Sequence, residues 1–423
     1  MYEKLKTNNG LTVISSSMPQ MSSVSLGAWI GVGGRYETEE RSGISHLVEH
    51  MLFKGTHARS AKALKEAVEG VGGTFNGFTS DEVTCYMVKV PAKYTELGID
   101  VLSDMVLNPR FDSKDLAKEK YVICEEIKMY RDQPSEYVQD LLSEIMWPNN
   151  ALGRPLTGTI STVKSITNDE IKKFKEENYH PANISMISAG KMDTRALFQC
   201  VSEKFAKSEK KETPSFKKPN INQKNFNIKF SRKNTKQTHI AMGFHASELD
   251  TRERFGVKLM NVILGGNMSS RLFEELREKH GLCYDISSSY KRHSDVGEVH
   301  IHAGVDNSNA YRSIVAIIDE LRNIRDLGVT AEELSRAKQY TKGQFLLAIE
   351  GTSNRMLWLG DRHMVHNDIP DIKKVLENID NVTVEDIYKV CGKILRSEGG
   401  NLAMIGKLSE KCVNKIRKEL AKL

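Results

Sequence analysis

Two histidines and a glutamate stand close together near the start of the chain, in the order His46-Leu-Val-Glu-His50. On a helix, residues four apart lie on the same face, so both imidazoles can reach one metal ion. Glu49 lies between them and can sit beside the metal without binding it. The plainer alternative is two ordinary helix histidines near a surface glutamate, because a bare match to this pattern occurs by chance.

A catalytic zinc usually takes three protein ligands and keeps one position for water, so a distant carboxylate is also needed. Residues 112–131 are predicted to form a helix, with Asp112 as its N-cap. This helix carries Glu119 and Glu126, seven residues apart on one face, and Glu125, rotated by about 100°. Helical geometry alone does not choose among them, because glutamates on a helix usually face solvent.

The elements that must position these residues mix strands with helices. Residues 24–30 are predicted to form a strand, and residues 74–90 two strands around Ser80-Asp81. Capping boxes predict helix starts at Thr167/Glu170, Thr330/Glu333 and Thr383/Asp386. We therefore expect an α+β fold, with mainly antiparallel sheets and helices packed on one face, rather than alternating βαβ units.

The second half of the chain looks like a degenerate copy of the first. Residues 240–246 have a strand-like pattern similar to that of residues 24–30. Residues 255–264 have apolar side chains at most of the positions equivalent to the apolar positions of residues 43–52. The polar positions of the metal motif are replaced in this copy by Lys258, Asn261 and Val262. If the repeat is real, the second copy has kept the fold and lost the metal chemistry.

A chain of 423 residues is too long for one ordinary core, so two domains are expected. The segment 207–225, with Pro214 and Pro219, divides the sequence nearly in half. We predict an N-terminal domain with the zinc site at 1–206 and a basic linker at 207–225. A homologous C-terminal domain without a metal site is predicted at 226–423.

The net charge of +6 at pH 7 does not indicate a nucleic-acid partner. Residues 207–236 contain ten Lys or Arg and two Glu, so this segment holds a net +8 and the rest of the chain is at about −2. A solvated connector explains this distribution, and we expect no binding to nucleic acid. No GxxxxGK[ST] pattern occurs, so ATP-driven proteolysis is not indicated.

Membrane association and disulfide bonding are not expected either. No apolar run approaches the roughly 20 residues that cross a bilayer. The first residues carry neither the apolar core of a signal peptide nor the composition of a transit sequence, which favours the cytoplasm of a bacterium. Six scattered cysteines without CxxC pairs indicate mostly reduced, buried side chains rather than a disulfide framework or a cysteine zinc site.

The metal motif and its surroundings resemble the M16, or pitrilysin-like, metallopeptidases, an inverzincin family. The resemblance covers nearly the full chain and is strongest to the subfamily of the mitochondrial processing peptidase β-subunit and its bacterial relatives. It is carried by Gly43-Ile-Ser-His-Leu-Val-Glu-His-Met-Leu-Phe-Lys-Gly-Thr56 and by Glu119-Lys-Tyr-Val-Ile-Cys-Glu-Glu-Ile127. The resemblance implies one Zn²⁺ per chain, a general base and a supporting acidic residue. The implied ligands are His46, His50 and Glu126, the base is Glu49, and the supporting residue is Glu119.

A second matching stretch, Gly72-Gly-Thr-Phe-Asn-Gly-Phe-Thr79, corresponds in the family to an edge strand that binds the substrate backbone. The resemblance therefore implies substrate binding by Asn76, Gly77, Phe78 and Thr79. Gly77 stands where the family usually has Ala, a small departure that should not block a backbone contact.

In the second half, residues 265–284 resemble the family's Gly-rich loop and its Arg/Tyr pair. Arg277 and Tyr284 would be the residues that reach the substrate at the zinc. Without the resemblance they would be a helix-surface Arg and a strand Tyr. Heterodimeric members divide the metal motif and this pair between two chains, whereas this chain has both.

The resemblance implies two homologous domains that face each other across a peptide-binding chamber. It also implies a zinc metalloendopeptidase that hydrolyses unfolded peptides or processes a precursor peptide, and the sequence does not choose between these. Because the chain is half the length of members that close a chamber alone, we expect a homodimer, with a homologous partner chain as the alternative. The alternative function is a non-catalytic, core-subunit-like or partner-dependent peptide-binding protein.

Overall fold

The computed structural model describes residues 2–246, 249–421 and 423, and these form two compact units. The first unit comprises residues 2–128, 154–217 and 346–369. The second unit comprises the described residues of Met129–Gly153, Lys218–Phe345 and Pro370–Leu423. Each unit therefore takes most of one half of the sequence and a shorter segment of the other half. The domain boundaries predicted above follow the two halves alone and do not include this exchange.

The strands fall into a six-stranded sheet in the first unit and a five-stranded sheet in the second. Within the described residues the strands are β1 (Glu3–Lys6), β2 (Thr12–Ser17), β3 (Ser23–Ile30), β4 (Thr74–Thr79), β5 (Thr84–Pro91), β6 (Ile184–Gly190), β7 (Asn227–Arg232), β8 (Gln237–His245), β9 (Cys283–Arg292), β10 (Gly297–Asp306) and β11 (Gly400–Gly406).

The α-helices lie between these strands and after them. In the described part of the chain they are α1 (Ile44–Leu52), α2 (Ala61–Glu69), α3 (Thr95–Leu107), α4 (Ser113–Asp132), α5 (Pro134–Met146), α6 (Ile160–Ser165), α7 (Asn168–Asn178), α8 (Thr194–Phe205), α9 (Thr251–Leu264), α10 (Ala310–Asp326), α11 (Ala331–Glu350), α12 (Thr352–Met364), α13 (Ile372–Asp380), α14 (Val384–Ile394) and α15 (Glu410–Leu420). A π-helical segment, Phe273–Lys279, precedes β9.

Apart from β1, which has no counterpart among the described strands of the second sheet, both sheets share one order of strands. The first sheet runs β1-β2-β6-β3-β5-β4 and the second runs β7-β11-β8-β10-β9. In each sheet one neighbouring pair is parallel, β2 with β6 and β7 with β11, and the remaining neighbours are antiparallel. The predicted α+β fold with mainly antiparallel sheets is confirmed, and the repeated strand order agrees with the predicted internal repeat.

Strand β3 shows how the alternation of side chains separates the two faces of the first sheet. Val24 and Leu26 point into the core that also contains the apolar side chains of α1 and α3. Trp29 points to the opposite face, where it packs with Met356 of α12. The helices of the first half thus cover one face of the sheet, and α12 covers part of the other.

Two helices are exchanged between the halves of the sequence. Helix α5 follows the 20-residue α4 and packs on the second sheet, while α12 follows the 20-residue α11 and packs on the first. A Cβ on Gly27 of β3 would lie 2.6 Å from Met356 Sδ, and a Cβ on Gly243 of β8 would lie 2.4 Å from Met146 Sδ. In each sheet, a strand glycine therefore lets a methionine of the exchanged helix approach the backbone closely.

Several local predictions are confirmed. Capping boxes form at Thr167/Glu170, Thr330/Glu333 and Thr383/Asp386. Asp112 accepts hydrogen bonds from the backbone N–H groups of Lys114 and Asp115 at the start of α4. Residues 208–226 contain neither helix nor strand, which agrees with a connector.

The cysteines are all free, and four of them are buried, namely Cys85, Cys124, Cys283 and Cys391. Cys200 and Cys412 are half-buried.

In the part of the chain that the structure describes, no helix is long and apolar enough to cross a membrane.

Replacing Gly360 of α12 with Ala should destabilise the first unit. A Cβ at Gly360 would lie 2.1 Å from the Trp29 ring, so the indole or the helix would have to shift. Overpacking of this kind costs about 1–3 kcal/mol, and its upper range exceeds the gain of about 1 kcal/mol that Ala brings to a helix interior. Thermal unfolding followed by circular dichroism should show a lower midpoint than that of the wild type.

Gly343 of α11 is the matched control for this substitution. Nothing lies within 4 Å of its Cβ position, so Gly343→Ala should raise the unfolding midpoint through helix propensity alone. If Gly360→Ala raised the midpoint as Gly343→Ala does, the close packing of α12 against Trp29 would be wrong.

Candidate metal centre

Helix α1 presents both histidines on one side because its other side is buried in the core of the first unit. The fully buried apolar side chains of this helix are Ile44, Leu47, Val48, Met51 and Leu52. His46 and His50 point away from them, with 13% and 23% of their side chains exposed. Their ring centroids are 4.5 Å apart, so both imidazoles can reach one ion.

Glu126 of α4 completes a group of three possible ligands. Its Oε2 lies 3.9 Å from His46 Nε2 and 3.9 Å from His50 Nε2. Tetrahedral zinc with ligands at about 2.0–2.1 Å separates its ligand atoms by about 3.3 Å, so each of the two distances to Glu126 exceeds this spacing by about half an ångström. The ligand atoms of the three residues all lie within 4.8 Å of one another. Two imidazoles and one carboxylate form a common donor set of catalytic zinc sites. Within the described residues, this is the one group of three His, Cys, Asp or Glu side chains close enough to hold a metal.

The neighbouring Glu125 points away from the histidines. Its carboxylate pairs with Lys128 at 2.7 Å on the exposed surface of α4. Helical geometry left the two glutamates open as alternatives, and the fold brings Glu126 to the histidines.

Glu119, on the same face of α4 as Glu126, contacts the far side of the His50 ring. Its Oε2 lies 3.1 Å from His50 Nδ1, and its Oε1 lies 2.6 Å from Lys54 Nζ. A hydrogen bond donated by Nδ1–H to this carboxylate would fix the tautomer that leaves Nε2 available to a metal. Burial acts to raise the pKa of Glu119, but the hydrogen bonds with His50 and Lys54 bring it below its ordinary value. Glu119 is therefore ionised at neutral pH and suited to orient the ring.

Glu49 lies between the two histidines on α1 and is buried beside β4. Its Oε2 accepts a 2.7 Å hydrogen bond from Thr79 Oγ1. Burial raises the pKa of Glu49, although the Thr79 hydroxyl opposes this effect. Burial, together with the neighbouring His50, lowers the pKa of His46 to about 4, so this imidazole is neutral at pH 7, as metal binding requires.

Strand β4 lies at the edge of the first sheet and pairs with β5 alone among the described strands. Gly77 and Thr79 face α1, and a Cβ on Gly77 would lie 3.1 Å from Glu49 Oε1. Phe78 lies on the opposite face, where its ring centroid is 5.6 Å from that of Trp29. Asn76 shares that face by alternation, and its Oδ1 accepts a hydrogen bond from the Gly77 N–H. Two of the four residues predicted to bind substrate therefore lie on the face of β4 that is turned to the metal helix, and two lie on the other face.

Arg277 and Tyr284 lie together in the second unit, Arg277 in the π-helical segment and Tyr284 in β9. The Arg277 guanidinium lies 4.8 Å from the centroid of the Tyr284 ring and 4.7 Å from that of Phe273. Tyr284 is 77% exposed. The cation–π contacts hold Arg277 against a tyrosine that is accessible to a ligand.

Two contacts of the site have no counterpart in the sequence-based predictions. Lys54 pairs with Glu119, and its spacing of four residues from His50 is a signal that could have pointed to it. The Thr79 hydroxyl binds Glu49 in addition to lying on the predicted substrate strand. That contact joins a strand to a helix 30 residues away, and no local pattern in the sequence indicates it.

Comparison with known proteins assigns these features to a family. The family model described as Insulinase (Peptidase family M16) matches residues 12–160, and the model described as Peptidase M16 inactive domain matches residues 165–340. The Bacillus subtilis protein named uncharacterized zinc protease YmxG is 33% identical over 406 residues, which cover 96% of this chain and 98% of that protein. The chain belongs to peptidase family M16. The resemblance stated from the motifs is thereby confirmed.

Other M16 relatives match over comparable lengths. The Streptomyces coelicolor protein named uncharacterized zinc protease SCO5738 is 32% identical over 418 residues, covering 97% of this chain and 91% of that protein. The crystal structure of a protease from Helicobacter pylori has a TM-score of 0.89 at 20% identity, covering 96% of this chain and 99% of that chain. A Pseudomonas fluorescens structure described as a peptidase M16 inactive domain has a TM-score of 0.87 at 18% identity, covering 96% and 98%. The two structures show a shared fold, and the relatives' names agree with zinc as the metal of an M16 chain.

Glu119→Gln should weaken zinc binding by about 10–100-fold, the usual effect of losing a partner that orients a ligand. The amide cannot supply the negative charge that holds both the His50 ring and Lys54. Zinc affinity is measured by competition with a chromogenic chelator. Glu125→Gln is the matched control, because Glu125 lies on the same helix and contacts Lys128 alone among the ion pairs of the described residues. Equal zinc affinity in all three proteins would contradict the orienting role of Glu119.

Proposed function

We propose that this M16 chain is a zinc-dependent endopeptidase that hydrolyses unfolded peptides or processes a precursor peptide. The observation that carries the proposal is the convergence of ligand atoms from His46, His50 and Glu126 beside the buried carboxylate of Glu49. This donor set is suited to one zinc ion per chain and leaves a position open for water.

Zinc bound at this group would polarise a scissile carbonyl and lower the pKa of a water toward neutrality. The chain's own residues would supply the rest of the chemistry. His46, His50 and Glu126 would hold the ion, and Glu119 would keep the His50 ring in the orientation that binding needs.

Glu49 would act as the general base that takes the proton of the attacking water and passes it to the leaving amine. A base works best when its pKa lies near the working pH, and burial raises the pKa of Glu49 in that direction. The hydrogen bond from Thr79 occupies Oε2, so Oε1 is the oxygen that would receive the proton.

The substrate would bind as an added strand along β4. An edge strand offers main-chain N–H and C=O groups to an extended peptide, and pockets for alternate side chains then provide selectivity. Gly77 would allow the peptide to approach Glu49, because this strand position carries no side chain. A folded protein rarely presents an unpaired extended segment, so unfolded or short peptides would be favoured.

Arg277 and Tyr284 complete the proposal through the resemblance to other M16 chains. Tyr284 would donate a hydrogen bond to the oxyanion that forms from the scissile carbonyl, and Arg277 would hold the tyrosine and the substrate. The exposure of Tyr284 and the contact of Arg277 with its ring support this role.

A homodimer in the bacterial cytoplasm remains part of the proposal, with no nucleic-acid or membrane partner. The competing hypothesis is a non-catalytic peptide-binding relative. This hypothesis is disfavoured because non-catalytic relatives characteristically lose the metal motif. This chain has all four of its residues, His46, Glu49, His50 and Glu126.

Glu49→Gln should abolish cleavage and keep the metal. The amide cannot accept a proton from water, but Glu49 is not a ligand, so zinc content should stay near one ion per chain in the mutant and in the wild type. Zinc is measured by atomic emission after gel filtration, and cleavage by mass spectrometry of a mixed library of unstructured peptides. A wild type that holds zinc and cuts no peptide would favour the non-catalytic hypothesis, and a wild type without zinc would overturn the proposal.

Tyr284→Phe should lower kcat by about 10²–10³, the usual effect of losing one oxyanion donor. The ring and its contact with Arg277 are retained, so folding and zinc binding should be unchanged. Tyr340→Phe is the matched control, because Tyr340 is also an exposed tyrosine of the second unit. Equal kcat values for both variants and the wild type would exclude Tyr284 from the reaction.

A further inference from the structure

Glu37 is a buried carboxylate at the N-terminus of α1, the helix that carries the metal motif. Its Oε2 accepts a hydrogen bond from the Gly43 N–H at 2.7 Å, and its Oε1 accepts one from the Ser45 N–H at 2.8 Å. Both oxygens thus bind N–H groups of the first turn, next to His46 in the sequence. No role in the metal chemistry follows from the motifs for Glu37.

Helix α1 has no cap of its own that could replace this contact. Its N-cap residue is Gly43, at a φ of 93°, where an L side chain would be strained. A Cβ at Gly43 would also lie 2.6 Å from the Thr157 carbonyl oxygen, so a capping Ser or Asp does not fit. Helix starts leave backbone N–H groups without partners, and in α1 the side chain of Glu37 supplies two acceptors for them.

The main chain of Glu37 is also held in place. Arg154 donates a hydrogen bond to the main-chain carbonyl of Glu37. Burial raises the pKa of the Glu37 carboxyl to about 7, and the hydrogen bonds from Ser45 and Gly43 act in the opposite direction. Burying the carboxylate of Glu37 costs free energy. The two hydrogen bonds from backbone N–H groups and the positive end of the helix dipole offset part of this cost.

We propose that Glu37 is a positioning residue of the metal centre, which fixes the first turn of α1 and thereby the approach of His46 to His50 and Glu126. A helix of nine residues is marginal alone, so its position depends on such external contacts. His46 follows Ser45 directly, and a shift of the first turn moves this ligand before any other. The inference rests on the proposed zinc site and adds a residue outside the motif to it.

Glu37→Gln tests the proposal with nearly the same shape. The amide oxygen can accept one N–H group, but the amide nitrogen would face the other N–H group, so one of the two contacts is lost. Zinc affinity should fall about tenfold, as for other partners that orient a ligand. The zinc-induced rise in unfolding temperature should shrink as well, because the substitution destabilises the zinc-bound form more than the zinc-free form.

Asp193→Ala is the matched control, because it removes the acceptor that caps another helix. Asp193 caps α8 in the same unit, where one carboxylate oxygen accepts from the N–H groups of Arg195 and Ala196. This variant should lower the unfolding temperature equally with and without zinc and leave zinc affinity unchanged.

The decisive measurements are chelator competition and thermal unfolding with and without zinc on the full chain. If Glu37→Gln binds zinc as tightly as the wild type, Glu37 has a structural role only and the inference is wrong. If the wild type itself binds no zinc, the proposed function fails instead. Should Glu37→Gln not fold, Glu37→Asp provides the same comparison. Its side chain keeps the carboxylate but is one methylene shorter, so the carboxylate lies farther from the two N–H groups.

Discussion

The burial of five apolar side chains fixes the rotation of α1 about its axis, and the metal centre depends on that rotation. Each fully buried side chain of this kind contributes roughly 1.5–3 kcal/mol, whereas a nine-residue helix has little stability alone. Turning the helix by one residue would move an imidazole toward the core and an apolar side chain toward solvent. The hydrophobic face of α1 therefore decides where His46, Glu49 and His50 point, although none of the three belongs to that face.

Three glutamates of the site have different properties because their surroundings differ. Glu119 is ionised because Lys54 and His50 stabilise its charge, which suits it to orient a ring. Burial raises the pKa of Glu49, which suits it to accept a proton. Glu126 faces the Nε2 atoms of both histidines, so its carboxylate is the one that can share a metal with them. The separation of these roles is an effect of burial and neighbouring charge, since the side chains are chemically the same.

The repeated architecture shows which parts of this fold serve stability and which serve chemistry. Both sheets keep the strand order, and in both a glycine accommodates a methionine from an exchanged helix. The family model described as an inactive domain matches residues 165–340, most of which lie in the second unit. The described residues of this unit contain no group of three His, Cys, Asp or Glu side chains that could hold a metal. Packing constraints are thus preserved in both copies, while the ligands are present in one. Because of the exchange, neither half of the sequence contains every helix that covers its sheet.

The sequence by itself determined the features that depend on local periodicity. The four-residue spacing of His46 and His50, the capping box at Thr167/Glu170 and the two strands around Ser80-Asp81 follow from contacts within one element or one turn. Tertiary structure decided which elements meet. Helical geometry did not choose between Glu125 and Glu126 as the third ligand, because the choice depends on how α4 packs against α1. His50 of α1 and Glu126 of α4 are 76 residues apart in the sequence. The exchange of α5 and α12 and the contacts of Lys54 and Thr79 have the same cause: a pattern specifies which face of an element is apolar, but the partner that covers this face is set by packing between distant segments.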